Sequence, residues 1–221
     1  MEKKNGYRIL LIGKKKRMQN KKFDSQVKNV PIFKDPRRRK AMWEEHVSGN
    51  TLDGGVIAEF GVHKAQSIGW FTTHFSDTPI YGFDSFEGLP EDWIVKNKVF
   101  FPKGHFNLKG NEPKFPHIDR CTFIKGWFKD TLPGWVKEVD DYLKILHIDC
   151  DIYSSTLTVL TNVKSMFRPG TFILFDEILD DQGKENEYKA FFEFCEANPS
   201  FDFDVIARTT GQQVMIKVLS V

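Results

Sequence analysis

One stretch of this chain narrows its possible folds more than any other: the run Gly55-Val56-Ile57-Ala58-Glu59-Phe60-Gly61, followed by Ile68, Phe71 and Phe75 at helical spacing. A short β-branched run, a glycine and an amphipathic helix read as strand, tight turn and helix, the opening unit of a doubly wound α/β sheet. Sheets of this kind take their ligands at the carboxyl ends of the strands, beside the point where the winding reverses. Gly61 lets backbone come close to a ligand in a way no residue with a Cβ could. Asp84 ends the next apolar run, Ile80-Tyr81-Gly82-Phe83, and lies 23 residues past Gly61. Such folds place a carboxylate on ribose hydroxyls at about that distance. A dinucleotide site needs a second and third glycine to cradle pyrophosphate, and this turn has only Gly61. A cofactor with a ribose and no phosphate needs no such cradle, and S-adenosylmethionine (SAM) is the obvious candidate.

The remaining pattern alternates in the same way. Strands are predicted over 121–124, 143–148 and 171–175, with a short helix after Asp130 or Thr131 and a longer one after Ser154 or Ser155. A helix is predicted over 188–197, and the runs 201–205 and 213–219 form a closing hairpin-like pair. Residues 88–119 hold Pro90, Pro102, Pro113 and Pro116 with seven aromatic or histidine side chains, Trp93, Phe100, Phe101, His105, Phe106, Phe115 and His117. A long stretch with no regular pattern in a compact domain is a lid or binding loop more often than a plain surface insertion, and its rings suit an acceptor wall.

A chain of 221 residues fits one such domain. The expected division is a basic arm and helix over 1–48, then the catalytic domain over 49–221 with the insertion at about 88–119. No apolar run approaches the length of a membrane helix. The short apolar run at 7–12 is a poor signal peptide, so the expected compartment is the cytoplasm and no membrane partner is expected. Cys121, Cys150 and Cys195 show no paired spacing, which argues against a disulfide framework or a zinc site. The net charge of +2 conceals an asymmetry: residues 1–40 carry 15 basic and 3 acidic side chains, the rest 17 basic and 27 acidic. Such an arm could meet nucleic acid or an anionic substrate, but pairing with the acidic body is the plainer expectation. Within it, residues 14–34 are expected to wrap or flex, and Pro36 to open a helix reaching Val47, with Ala41, Met42 and His46 toward the body.

Acids gather at two neighbouring strand ends. Asp149 and Asp151 are two apart, so both leave the fourth strand on one face, with His147 behind them. Asp176 and Glu177 end the fifth strand. Crowded carboxylates repel unless a cation or a proton separates them, and Mg²⁺ suits an all-oxygen set. The plainer alternatives are that Asp176 or Asp180 caps a helix and that Asp149 orders a loop. His63, in the glycine turn, is a candidate general base because histidine titrates near neutral pH. His147, further back in its strand, is expected to hold a carboxylate.

Four blocks occur in order at fitting distances: Ala58-Glu59-Phe60-Gly61-Val62; Tyr81 to Pro90; Lys125 to Pro133; and His147-Ile148-Asp149-Cys150-Asp151-Ile152-Tyr153-Ser154-Ser155-Thr156. Together, over roughly residues 50–221, they resemble the macrocin O-methyltransferase family of class I SAM-dependent methyltransferases. The resemblance implies a Rossmann-like seven-stranded sheet with an antiparallel last strand. It also implies methyl transfer to a hydroxyl of a sugar or sugar-bearing compound, and Mg²⁺ held by the acids matching Asp151, Asp176 and Glu177, with Asp151 at the catalytic centre. For SAM, Glu59, Gly61 and Ser67 are assigned to the methionine side, Asp84 to the ribose, Gly126 and Trp127 to the adenine, with Ser85 and Asp149 completing the set. One departure stands out: Ala65 occupies the place of a second glycine, tolerable in a helix's first turn but a source of crowding at the methionine end.

Two other classes compete. A nucleic-acid base methyltransferase would carry an aromatic Pro-Pro motif after the fourth strand, where this chain has Asp149-Cys150-Asp151-Ile152-Tyr153. A ribose-methylating enzyme using the basic arm stays open. So does an inactive SAM-binding interaction module, for which Ala65 speaks and the carboxylates do not. Neither the acceptor hydroxyl nor assembly into a homo-oligomer is legible from the residues.

Overall fold

The computed structural model describes residues 18–34, 39–49, 51–179 and 184–221. The 7–12 run, Pro36 and Asp180 lie outside them. The described chain forms a helix over 18–29 (α1), then β1 (Ile32–Phe33), α2 (Arg39–Val47), β2 (Val56–Phe60), α3 (Gln66–His74) and β3 (Ile80–Asp84). A small hairpin follows, β4 (Trp93–Val95) and β5 (Lys98–Phe101). Next come β6 (Cys121–Lys125), α4 (Phe128–Val139), β7 (Leu143–Ile148), α5 (Tyr153–Val163), β8 (Phe172–Phe175), α6 (Asn186–Ala197), β9 (Asp202–Thr209) and β10 (Val214–Ser220).

The main sheet runs β1-β9-β10-β8-β7-β2-β3-β6. β2, β3, β6, β7 and β8 are parallel, and β10 runs antiparallel to both β8 and β9. This is the predicted seven-stranded, doubly wound sheet with an antiparallel last strand, plus one two-residue strand, β1, parallel to the outer edge of β9. The winding reverses between β2 and β7, so the carboxyl ends of those strands form the crevice expected of the fold.

Side chains alternate across each strand and so sort into two cores. Val56, Ala58 and Phe60 of β2, with Leu146 and Ile148 of β7, pack beneath α4, α5 and α6. Ile57 and Ile145 face the opposite side, against Met42 and Trp43 of α2 and Ile68 and Phe71 of α3. The same parity carries Glu59, His147 and Asp149 onto the α2–α3 face, and Glu59 and His147 are direct register partners.

The basic arm is more ordered than its composition suggests. Residues 18–29 form a helix whose Phe23 is fully buried, edge-on to Tyr188, Phe192 and Phe203. Lys22 pairs with Asp202 at 2.9 Å and Asp204 at 3.3 Å. One aromatic anchor and pairing with the acidic body hold a segment otherwise poor in apolar residues. The 88–119 stretch is likewise not featureless. Lys96 and Asn97, at φ 49° and 61°, form the turn of the β4–β5 hairpin, the paired positive φ values that right-twisted strands favour.

Candidate active site

Above the switch point lies a cavity of about 850 Å³, within the range of small-molecule sites. Backbone hydrogen bonds lock its floor. Gly61 N donates to Phe83 O at 2.9 Å, Asp149 N to Phe60 O at 2.9 Å, and Asp176 N to Ile148 O at 3.0 Å, tying four strand ends together. Gly61 has φ 94°, and a Cβ built on it would stand 1.8 Å from the carbonyl oxygen of Asp149. The close approach that this glycine permits is therefore first of all to the neighbouring strand end.

Asp84 organises the cofactor side. One carboxylate oxygen accepts from His63 N at 2.8 Å and the other from Phe86 N at 2.7 Å. Each oxygen keeps a lone pair, so the group is fixed in place and still able to accept a hydroxyl. It is at once the turn-forming acid and a lining residue. Ser85, Gly126 and Trp127 line the same wall, with Gly126 N donating to Asp84 O at 3.0 Å. Ser67 also lines the cavity. Ala65 does not: it sits at φ 58° as the N-cap of α3, and its methyl is buried in the core with Ile68 and Trp70. The left-handed backbone explains why glycine suits this position, at a cost to alanine of about 1–2 kcal/mol.

Glu59 departs from its assignment. It is 1% exposed and lies beneath the cavity floor, its Oε2 3.5 Å from His147 Nδ1. His147, fully buried, stands between Glu59 and Asp176, whose Oδ1 is 3.9 Å from Nε2, and is enclosed by the rings of Trp43 and Phe71. Burial alone would lower its pKa, but Asp176 and Glu59 outweigh that and raise it to about 9. His147 thus stands within ion-pair range of two carboxylates, although neither ring nitrogen makes a hydrogen bond.

Asp149, Asp151 and Glu177 each turn a carboxylate oxygen into one cluster, all within 4.8 Å of one another, and Asp149 belongs also to a second cluster with His147 and Asp176. Asp176 thus lies one step away from Asp151 and Glu177, with which the sequence grouped it. Burial first, and then the charge of Asp176, raises the pKa of Asp149 to about 7. Burial and neighbouring acids push Asp151 and Glu177 well above the ordinary carboxylate range. Asp176 goes the other way, because His147 and Arg39 outweigh its burial. Glu177 Oε2 and Asp176 Oδ1 are buried without a hydrogen-bond partner. Three oxygen donors converging at this range, one of them orphaned, fit a hard divalent cation.

His63 lines the cavity beside Asp84, its ring 5.6 Å from Phe106. Burial, then Lys64, lowers its pKa, leaving the imidazole neutral and able to take a proton at neutral pH. From the 88–119 segment, Trp93, Phe101 and Phe106 form the outer wall. Phe115 instead packs against Phe123 in the core, and His117 is exposed.

Five contributors escaped the sequence. Glu187 of α6 is fully buried and accepts from Glu177 N at 3.0 Å. Lys64, Lys103 and Lys129 line the mouth. Arg39 reaches in from α2 to pair with Asp176 and with Asp149 at 3.3 Å. The one signal for Arg39 was the charge imbalance between the arm and the body.

Residues 112–199 match the family described as Macrocin-O-methyltransferase (TylF). The chain is 27% identical over 180 residues to a demethyldecarbamoylnovobiocin O-methyltransferase of Streptomyces niveus, covering 72% of this chain and 67% of that one. It is 38% identical over 110 residues to 8-demethyl-8-(2,3-dimethoxy-alpha-L-rhamnosyl)-tetracenomycin-C 4'-O-methyltransferase of Streptomyces olivaceus, covering 44% of this chain and 41% of that one. In all, the chain spans from 41% to 67% of the length of the curated relatives it matches. The crystal structure of CalS11, a calicheamicin methyltransferase, superposes with a TM-score of 0.60 at 19% identity, covering 83% of this chain and 78% of that one. That likeness shows the class I methyltransferase fold. No helix among the described residues is long and apolar enough to cross a membrane.

Proposed function

We propose that the chain, whose residues 112–199 match the macrocin O-methyltransferase family, is an O-methyltransferase that methylates a hydroxyl on a sugar moiety of a small molecule. The observation that carries this reading is the single cavity that joins a ribose-ready carboxylate, Asp84, to a cluster of three acids, Asp149, Asp151 and Glu177. SAM, bound along Gly61, Ser67, Asp84 and Gly126, supplies an electrophilic methyl group. Asp149, Asp151 and Glu177, with Asp176 behind them, would hold a divalent cation such as Mg²⁺, which would supply Lewis acidity toward a bound hydroxyl.

The chain's own residues do the rest by position. Holding donor and acceptor in line contributes as much as about 7–11 kcal/mol. The locked strand ends and the Asp84 turn fix the donor side. Trp93, Phe101 and Phe106 form an apolar wall that keeps water from the mouth and suits the flat faces of a sugar-bearing compound. His63, kept neutral by its burial, is the group placed to accept the hydroxyl proton, while Asp151 would act through the cation it helps to hold. The insertion carrying those rings acts as a lid over the acceptor. The relatives' names support the sugar, since one of them describes a rhamnosyl substrate.

The test is transfer of labelled methyl from SAM to a panel of deoxysugar-bearing glycosides, with and without chelator. Product formation that is lost in EDTA and restored by Mg²⁺ is the expected result. Transfer that is indifferent to chelation would remove the metal from the reading, and labelling of RNA alone would replace the acceptor.

A further inference from the structure

Arg39 stands where the site needs positive charge. It opens α2, its guanidinium carbon lies 5.6 Å from the centroid of the Trp43 ring, and its side chain is only 20% exposed. One guanidinium nitrogen pairs with Asp176 and lies 3.3 Å from Asp149 Oδ2; the other donates to Ser67 Oγ at 2.8 Å. Asp149 is the acid shared by both clusters, so the carboxylate that Arg39 draws on is one of the three that would hold a divalent ion. Two cations on one carboxylate repel, strongly where water is scarce. Asp176 is 8% exposed and can keep the guanidinium by itself, whereas Asp149 faces the cavity.

We propose that Arg39 is a cation built into the site, one that steadies Asp149 and Asp176 and releases Asp149 when a divalent ion enters. The inference rests on the metal reading above. It makes the first turn of α2 responsive to metal, because that turn is tethered through Arg39. Coupling of this kind is reciprocal: what the ion does to Arg39, Arg39 does to the ion's affinity.

Calorimetric titration of Mg²⁺ into the full chain and into Arg39→Met tests it, since methionine keeps an unbranched side chain at this position and removes the charge. Tighter Mg²⁺ binding by the variant, about fivefold or more, is expected. Equal or weaker binding by Arg39→Met would overturn the role of Arg39 and leave the metal reading standing. No binding by either chain would overturn both. Should Arg39→Met fail to fold, hydrogen exchange in the wild-type chain decides: Mg²⁺ should speed exchange of the amides at 43–47, which bond back to the first turn of α2, and unchanged or slowed exchange there would reject the proposal.

Discussion

The two halves of the cavity are built on opposite principles. On the cofactor side the groups around Asp84 are hydrogen-bonded: both Asp84 oxygens accept backbone amides, Ser85 Oγ accepts from Glu87 N at 3.0 Å, and Gly126 N reaches Asp84 O. On the acidic side Glu59, His147, Asp176 and Glu177 all carry buried atoms without a hydrogen-bond partner. The first half is a frame held by its own hydrogen bonds. The second holds more negative charge than its surroundings neutralise, with Arg39 the cation that reaches into it. Unsatisfied buried groups cost stability, and a fold tolerates them where function needs them. The difference suggests a division of labour in which the frame fixes the donor and the strained acids work on the acceptor.

Gly61 joins the halves, and breaking that joint should have the largest effect. In Gly61→Ala the methyl would meet the Asp149 carbonyl on a backbone that disfavours any side chain, so a loss above about 4 kcal/mol is expected by denaturant unfolding. A loss under 1 kcal/mol would mean that the strand ends are not held as closely as described.

The pH dependence should come from the acidic half. His147 has a folded pKa raised from 6.5 to about 9, so its contribution is fully present below pH 6.5 and is lost as pH rises to about 9. Linkage puts this at no more than about 3 kcal/mol. Unfolding midpoints should fall between pH 6.5 and 9, and His147→Gln should flatten that slope. An unchanged slope would assign the titration to other groups.

Asp151→Asn probes the same half through turnover. A drop of about 100-fold, near 2.7 kcal/mol in the barrier, is expected with SAM affinity almost unmoved. Parallel losses in turnover and SAM affinity would show that the halves do not divide the work. The smallest effect falls on the frame: Asp84→Ala should weaken S-adenosylhomocysteine binding by about 1.5–3 kcal/mol, read by calorimetry. Unaltered affinity would leave Asp84 with its turn-forming role alone.

Much of this molecule was legible in the residues themselves. Period-two and helical spacing, with Gly61 and Asp84 as punctuation, determined the doubly wound sheet, the place of the crevice and part of its lining, because local backbone preference and strand parity act over a few residues. The order in the arm was hidden, since one buried ring, Phe23, anchors it and composition averages that signal away. The β4–β5 hairpin was hidden because its turn is Lys96-Asn97 rather than a glycine pair. Only the tertiary structure moved Glu59 beneath the floor, set Asp176 apart from Asp151 and Glu177, and brought Arg39 against Asp149. Which acids share a cation depends on how strand ends stagger and which helix covers them, and the helix's contacts join residues more than 100 positions apart.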